Sequence, residues 1–372
     1  MPGNPRFIDL VQDRLTSFLD EQDTALGTIA PELLELTTAA RELLVGGKRF
    51  RARFCYWGWA AVARLASEED LLAEGHLDDG LDSVVSTAAA LELFHAGALV
   101  HDDIMDNSDI RRGAPSAHRR FETQHRMASW SGNADGYGRS TALLLGDALL
   151  VWSDEVAQQA FASLPPSDAA ASRAEFARMR SEVAMGQYLD ILEEASWGTR
   201  SQAELLERAH RVVIYKSAKY SVEAPLALGA ALAGGSFAQL TALSAFGLPL
   251  GVAFQLRDDL LGVYGDESIT GKPAGDDLRQ GKRTLLVHLA RQSLPANLLR
   301  IVDELLGDPE LDADQILVLQ SAIRESGAVA AIERAIAARV AQARAALTNA
   351  PIAGSAREEL LALADAVAER DR

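Results

Sequence analysis

Two groups of carboxylates have the type and spacing to do chemistry. In LELFHAGALVHDDIMDNSD, Asp102, Asp103 and Asp106 close an apolar helical stretch. The spacing of Asp102 and Asp106 sets both on one helix face, with Asp103 alongside. Acidic groups at a helix C-terminus oppose the macrodipole and repel one another, so the arrangement calls for a cation. Oxygen donors without a nearby cysteine favour Mg2+ over zinc, and Mg2+ is commonly held by one or two carboxylates together with substrate phosphates. In GVAFQLRDDLLGVYGD, Asp258 and Asp259 close a second apolar helix in the same manner.

Basic groups follow each cluster. Arg111 and Arg112 come after the first, ahead of Gly113; Lys272 and Lys282 come after the second, in GKPAGDDLRQGKRT. Nearer the N-terminus, GGKRFR supplies Lys48, Arg49 and Arg51 behind Gly46 and Gly47, where a missing side chain lets backbone approach a phosphate. Arginine offers a planar fork and lysine a point charge, both suited to diphosphate. Neither G-x-x-x-x-G-K-S/T nor G-x-G-x-x-G occurs in a suitable setting, so this is not a nucleotide loop.

Helices must position these groups. Apolar residues recur three and four apart over Phe7–Leu19, Glu32–Val45, Ser83–Val100, Thr141–Leu164, Asp168–Glu194, Ser201–Ala233, Ala238–Tyr264 and Ala328–Leu347. Ala and Leu dominate and no segment alternates as a strand would, so the expected fold is all-α. Turn chemistry marks breaks at Ser67–Asp82, Ser129–Ser140, Leu164–Asp168 and Gly265–Gly281. None reads as an interdomain linker, and a single domain over residues 1–372 is expected.

The 372 residues are 48% hydrophobic and 24% charged, enough to bury a large core. A net charge of −17 disfavours nucleic acid and anionic membrane surfaces as partners. With Cys55 as the single cysteine, no internal disulfide forms, and a cytoplasmic location is expected. The N-terminal MPGNPRFIDLVQDRL carries charges where a signal peptide needs an apolar core. Thr141–Trp152, read as the most apolar stretch, is interrupted by Asp147 and too short to span a bilayer, so no stable membrane insertion is expected.

GGKRFR, HDDIMD with RRG after it, YKSA, FQLRDD and GKPAGDDLRQGKRT stand in the order seen in trans-polyprenyl diphosphate synthases, and the chain resembles that family from roughly Glu42 to Leu285. The resemblance is nearest to the short-chain, actinobacterial, geranylgeranyl diphosphate synthase-like branch. It implies an all-α bundle of the isoprenoid synthase type around a central cavity, a homodimer, and Mg2+ (three ions with substrate bound) bridging carboxylates to an allylic diphosphate. Carried over by position, Asp102, Asp103, Asp106, Asp258 and Asp259 are the metal ligands. Gly47, Lys48, Arg51, His95 and Arg112 match the isopentenyl diphosphate site, and Arg111, Lys216, Lys272 and Lys282 the allylic diphosphate site. Lys216, Ser217 and Gln255 match groups near the developing cation. One departure concerns the second motif, which commonly ends in a third Asp; position 262 is Gly here, and Asp266 is a candidate substitute.

The chemistry agrees with these expectations. Leaving diphosphate concentrates negative charge that Mg2+, Arg and Lys stabilise, while water must be kept from the allylic cation. Positions preceding Asp102 are expected to line the cavity: Gly97 and Ala98 are small, and Phe94, one turn deeper, forms a floor that fits a C20 product. Alternatives are a farnesyl or longer-chain synthase, a terpene cyclase or a regulatory subunit. A cyclase has no use for the basic residues of a second diphosphate site, and a regulatory subunit would have lost the first carboxylate cluster. A di-metal oxidative bundle would need Glu-x-x-His pairs that are missing.

Overall fold

Helix accounts for 82% of the structure, as the Ala- and Leu-rich periodicity requires. The computed structural model describes residues 5–66, 80–266 and 274–369. Its first helices are α1 (Pro5–Gly27), α2 (Leu34–Leu44), α3 (Phe50–Ala66), α4 (Leu81–Met105), α5 (Ala117–Met127), α6 (Ala134–Ala162) and α7 (Pro166–Ser196). Then come α8 (Gln202–Val212), a π-helical segment (Val213–Glu223), α9 (Ala224–Leu232), α10 (Phe237–Tyr264) and a one-turn helix at Asp276–Arg279. The C-terminal helices are Leu285–Ser293, Ala296–Leu305, Ala313–Glu325, Ala328–Leu347 and Gly354–Ala368.

Several boundaries differ from expectation. Ser129–Ser140 was expected as a break, but α6 begins at Ala134 because Asn133 caps it, its side chain accepting from the backbone N–H groups of Asp135 and Gly136. The expected helix Ser201–Ala233 divides into α8, the π segment and α9. A short ladder, Ile110–Arg111 paired with Ala114–Pro115, is the one strand pair among the described residues. Of the expected loops, residues 67–79 and 267–273 lie outside the described residues. The expectation about apolar length is also corrected. Leu81–Met105 and Phe237–Tyr264 are long and apolar enough to cross a membrane, although 78% and 56% of their apolar windows are buried within the protein, as in core helices.

The described residues cluster into two compact units. The first comprises Met1–Glu175, Pro225–Phe237 and Ile352–Glu359; α4 is its centre, packed chiefly on α6 and also on α1 and α3. Its core includes Trp57, Trp59 and Trp152, and close approach of α3 to α9 depends on Gly58 and Gly229, where a Cβ would overlap opposing backbone. The second unit comprises Phe176–Ala224, Ala238–Pro351 and Leu360–Arg372. There Arg257, buried in α10, donates to both carboxylate oxygens of Glu333 at 2.6 and 2.8 Å and so ties α10 to Ala328–Leu347.

Candidate active site

The first carboxylate group sits where α4 stops. Asn107 adopts a left-handed conformation (φ 53°), and the Ser108 N–H donates to the Asp103 carbonyl at 2.9 Å, a Schellman ending that fixes Asp102, Asp103 and Asp106 around the last turn. Arg139 of α6 donates to the Ile104 carbonyl at 3.2 Å and to the Asn107 side chain, compensating the negative end of the helix. Asp103 is 2% exposed and pairs with Arg111, whose Nε lies 2.9 and 3.1 Å from its two oxygens; Arg111 Nη2 also reaches Asp103, and Asp102 at 3.5 Å. Burial opposes the charge on Arg111, but Asp103, Asp102 and Asp106 outweigh it and hold its pKa above the usual value. Asp103, one of the expected metal ligands, is thus also the partner of an arginine.

Two left-handed turns build the basic site. Arg112 and Gly113 form the two-residue turn between the short strands, with φ of 54° and 76°, the pattern of a type I′ hairpin. Opposite, Gly46, Gly47 and Arg49 have φ of 73°, 85° and 46°. The turns meet where the Arg112 guanidinium lies 3.5 Å from the point a Gly47 Cβ would occupy, and Arg112 donates to the Leu43 carbonyl at 3.2 Å. His95 and Arg112 share a small cleft there with Gly46, Arg49 and Glu92. Burial first, then Arg51, Arg112 and Arg111, hold the His95 pKa well below its usual value, with Asp102 opposing; its imidazole is neutral near pH 7.

In the second unit, two glycines set the position of the π segment. A Cβ at Gly186 of α7 would overlap the backbone of Tyr215 and Lys216, and one at Gly251 of α10 would overlap that of Ala218. The π segment is therefore held against both helices, and it carries Lys216 and Ser217. Such segments are frequent at functional sites. Lys216 pairs with Asp190 of α7. Gln255 Nε2 donates to Asp259 at 2.7 Å.

Asp259 is buried, and its pKa is pushed up to about 7 by burial first and then by Asp277 and Asp258, while Gln255 and Lys282 counteract. Position 262 explains the neighbour: a Cβ on Gly262 would overlap the carboxylate of Asp277, which occupies the space a side chain there would take. Lys282 Nζ lies 3.6 Å from Asp277, whereas Asp266 is exposed beyond the end of α10. Lys272 lies outside the described residues.

These donors fit Mg2+. Among the described residues no group of three or more His, Cys, Asp or Glu side chains is arranged to hold a metal by itself. Mg2+ is bound through one or two carboxylates plus substrate phosphates, and a buried carboxylate with acidic neighbours gains most from such a cation.

Of the product-length positions, Phe94 is buried, Ala98 is half-buried, and Gly97 faces α6, where a Cβ would meet the Gly146 carbonyl at 3.0 Å and Leu150 at 3.1 Å. The smallness of Gly97 thus serves helix approach. His101 Nε2 lies 3.2 Å from the Leu143 carbonyl and 3.4 Å from Asp147, so it too faces α6. Sequence reading missed Glu92 and Asp277. The available signals were an acid three residues before His95 on an apolar helix, and one acid among several before Lys282.

An all-α fold with two helices closed by aspartates and basic turns beside the first defines a helical enzyme of diphosphate chemistry. The polyprenyl synthetase family model matches residues 34–322, and the chain belongs to that family, whose members are trans-prenyltransferases. It is similar to a geranylgeranyl pyrophosphate synthase from Corynebacterium glutamicum, solved in complex with isoprenyl diphosphate and magnesium, at 38% identity and a TM-score of 0.90, covering 98% of this chain and 99% of that one. A geranylfarnesyl diphosphate synthase from Aeropyrum pernix is 33% identical over 300 residues, 77% of this chain and 82% of the relative. A short chain isoprenyl diphosphate synthase from Methanothermobacter thermautotrophicus is 31% identical over 353 residues, 93% of each.

Proposed function

We propose that the chain condenses isopentenyl diphosphate head-to-tail with an allylic diphosphate and releases geranylgeranyl diphosphate. The observation that carries this reading is the pairing, within one unit, of an aspartate-closed helix end with a separate metal-free basic site built from two left-handed turns. One diphosphate suits each.

In this reading Asp102, Asp106, Asp258 and Asp259 hold Mg2+, three ions with substrate bound, which supplies positive charge to the departing diphosphate. Asp103 keeps Arg111 in place for that diphosphate, with Lys216, Lys272 and Lys282 adding charge. Gly47, Lys48, Arg51, His95 and Arg112 take isopentenyl diphosphate; neutral His95 donates without adding a full charge to an already basic cleft. The allylic C–O bond breaks, the isopentenyl alkene attacks the cation, and a proton passes to the released diphosphate. With Gln255 Nε2 turned to donate to Asp259, its carbonyl oxygen is the acceptor assigned to the cation, together with the Ser217 hydroxyl.

Ala98 and Phe94 lie one turn apart on the face of α4 that ends in Asp102, a depth of about 5.4 Å for each turn. Phe94 as the floor fits C20. Supporting a homodimer, α6 exposes Leu143, Leu144 and Val151 at 50%, 62% and 65%. Buried Cys55, its pKa pushed up by burial, suits the reducing cytoplasm.

The test is incubation of the purified protein with isopentenyl diphosphate, Mg2+ and C5, C10 or C15 allylic diphosphates, with products sized by mass spectrometry. A C20 product is expected, falling about 10³-fold in Asp102→Ala, lengthening in Phe94→Ala and shortening in Ala98→Phe. Unchanged lengths in both pocket variants would discard the floor, and absence of condensation would discard the function.

A further inference from the structure

A carboxylate inside an anion site needs an explanation. Glu92, 7% exposed on α4, lines the cleft shared by His95 and Arg112, where a negative charge repels a bound diphosphate. One of its oxygens, Oε2, lies 3.3 Å from Arg49 Nη1; the other is buried with no hydrogen-bond partner among the described residues. Arg49 is 7% exposed, and its Nη2 also donates to the Leu44 carbonyl at 2.6 Å and to Gln12 of α1. One guanidinium thus fastens the start of α3 to α1, to the end of α2 and to α4. Its backbone is left-handed, a conformation costly for a residue with a Cβ, and it follows directly on Gly46, Gly47 and Lys48. Such a turn persists only where its surroundings hold it, and the Arg112 guanidinium rests on its Gly47.

We propose that Arg49 and Glu92 are positioning residues, a buried strut that holds the Gly46–Arg49 turn in its left-handed form and so presets the isopentenyl diphosphate site. This rests on the assignment of that site under Proposed function. The strut acts on one substrate: it touches the turn that carries Gly47 and Lys48, while the Asp102 end of α4 is fixed by its own Schellman ending and by Arg139.

The charge supplies a discriminating test, because electrostatics and the strut predict opposite signs. Removing an acid from an anion site should tighten diphosphate binding; removing the strut should weaken it. The measurement is calorimetric titration of the full-length protein with isopentenyl diphosphate and, separately, with geranyl diphosphate plus Mg2+. Glu92→Met leaves Arg49 buried and unpaired, so it is accompanied by the double variant Arg49→Met/Glu92→Met, which conserves net charge and removes the orphaned ion. Expected is isopentenyl diphosphate binding weakened about tenfold or more in both variants, geranyl diphosphate binding within about threefold of wild type, and a KM for isopentenyl diphosphate that rises while kcat holds. If Glu92→Met does not fold, the double variant decides. Tighter or unchanged binding of isopentenyl diphosphate in a folded variant, or equal weakening toward both diphosphates, would overturn the strut while leaving the site assignment intact. Failure of the wild type to bind isopentenyl diphosphate would overturn the site assignment and the strut with it.

Discussion

The two carboxylate groups look alike in sequence and differ in how the protein neutralises them. At the end of α4, Asp103 is matched by Arg111 at hydrogen-bond distance, and the helix end is covered by Arg139. At the end of α10, Asp259 has an amide for a partner and carboxylates for neighbours, so burial, Asp277 and Asp258 push its pKa up to about 7. The first group is a fixed ion-pair framework that aims an arginine. In the second, burial and acidic neighbours favour the protonated form of Asp259, and a cation would relieve the same repulsion. Under the proposed function the two motifs would divide the work: one orients, the other gathers positive charge.

The contrast breaks most readily at Arg111. Arg111→Met leaves Asp103 buried without its cation, and the expected loss of stability is about 3–5 kcal/mol, read by urea unfolding. A loss below about 1 kcal/mol would mean that the first group is no more compensated than the second. Gly262→Ala probes the second group. Its methyl would displace the Asp277 carboxylate, costing about 1–3 kcal/mol and raising the Mg2+ concentration needed for half-maximal turnover. Wild-type values for both would show that Asp277 is not confined by position 262.

The smallest expected effect, as read between pH 6 and 8, is a pH dependence. An acid whose folded pKa is about 7, against an ordinary value of 3.8, keeps its proton in the folded state where the unfolded chain has lost it. Stability in chelator therefore falls as pH rises from about 4 to about 7 and levels off above, contributing a decline of about 1 kcal/mol between pH 6 and 8. Asp259→Asn should remove that component from melting curves; an identical slope in the variant would assign the titration elsewhere.

The local geometry of the candidate site was legible in the sequence wherever it depends on residue type at short range. Asp102 and Asp106 share a helix face by spacing alone, and RRG announces a tight turn even without a strand pattern. What depends on distant partners was not legible. The π segment arises where Gly186 and Gly251 admit its backbone against two helices, and no local periodicity reports that. The smallness of Gly97 looks the same in sequence whether it faces a ligand or α6. Arg49 and Glu92 stand 43 positions apart and meet only in the fold. The carboxylate beside Gly262 likewise comes from Asp277, more distant in the sequence, and not from nearby Asp266.

The most direct test of the division of labour is a pair of calorimetric titrations of the wild-type protein, with isopentenyl diphosphate and with geranyl diphosphate, each in chelator and in Mg2+. Isopentenyl diphosphate is expected to bind in both media through the basic turns, whereas geranyl diphosphate binds only when Mg2+ is present. Isopentenyl diphosphate binding that requires the metal, or geranyl diphosphate binding that does not, would contradict that division.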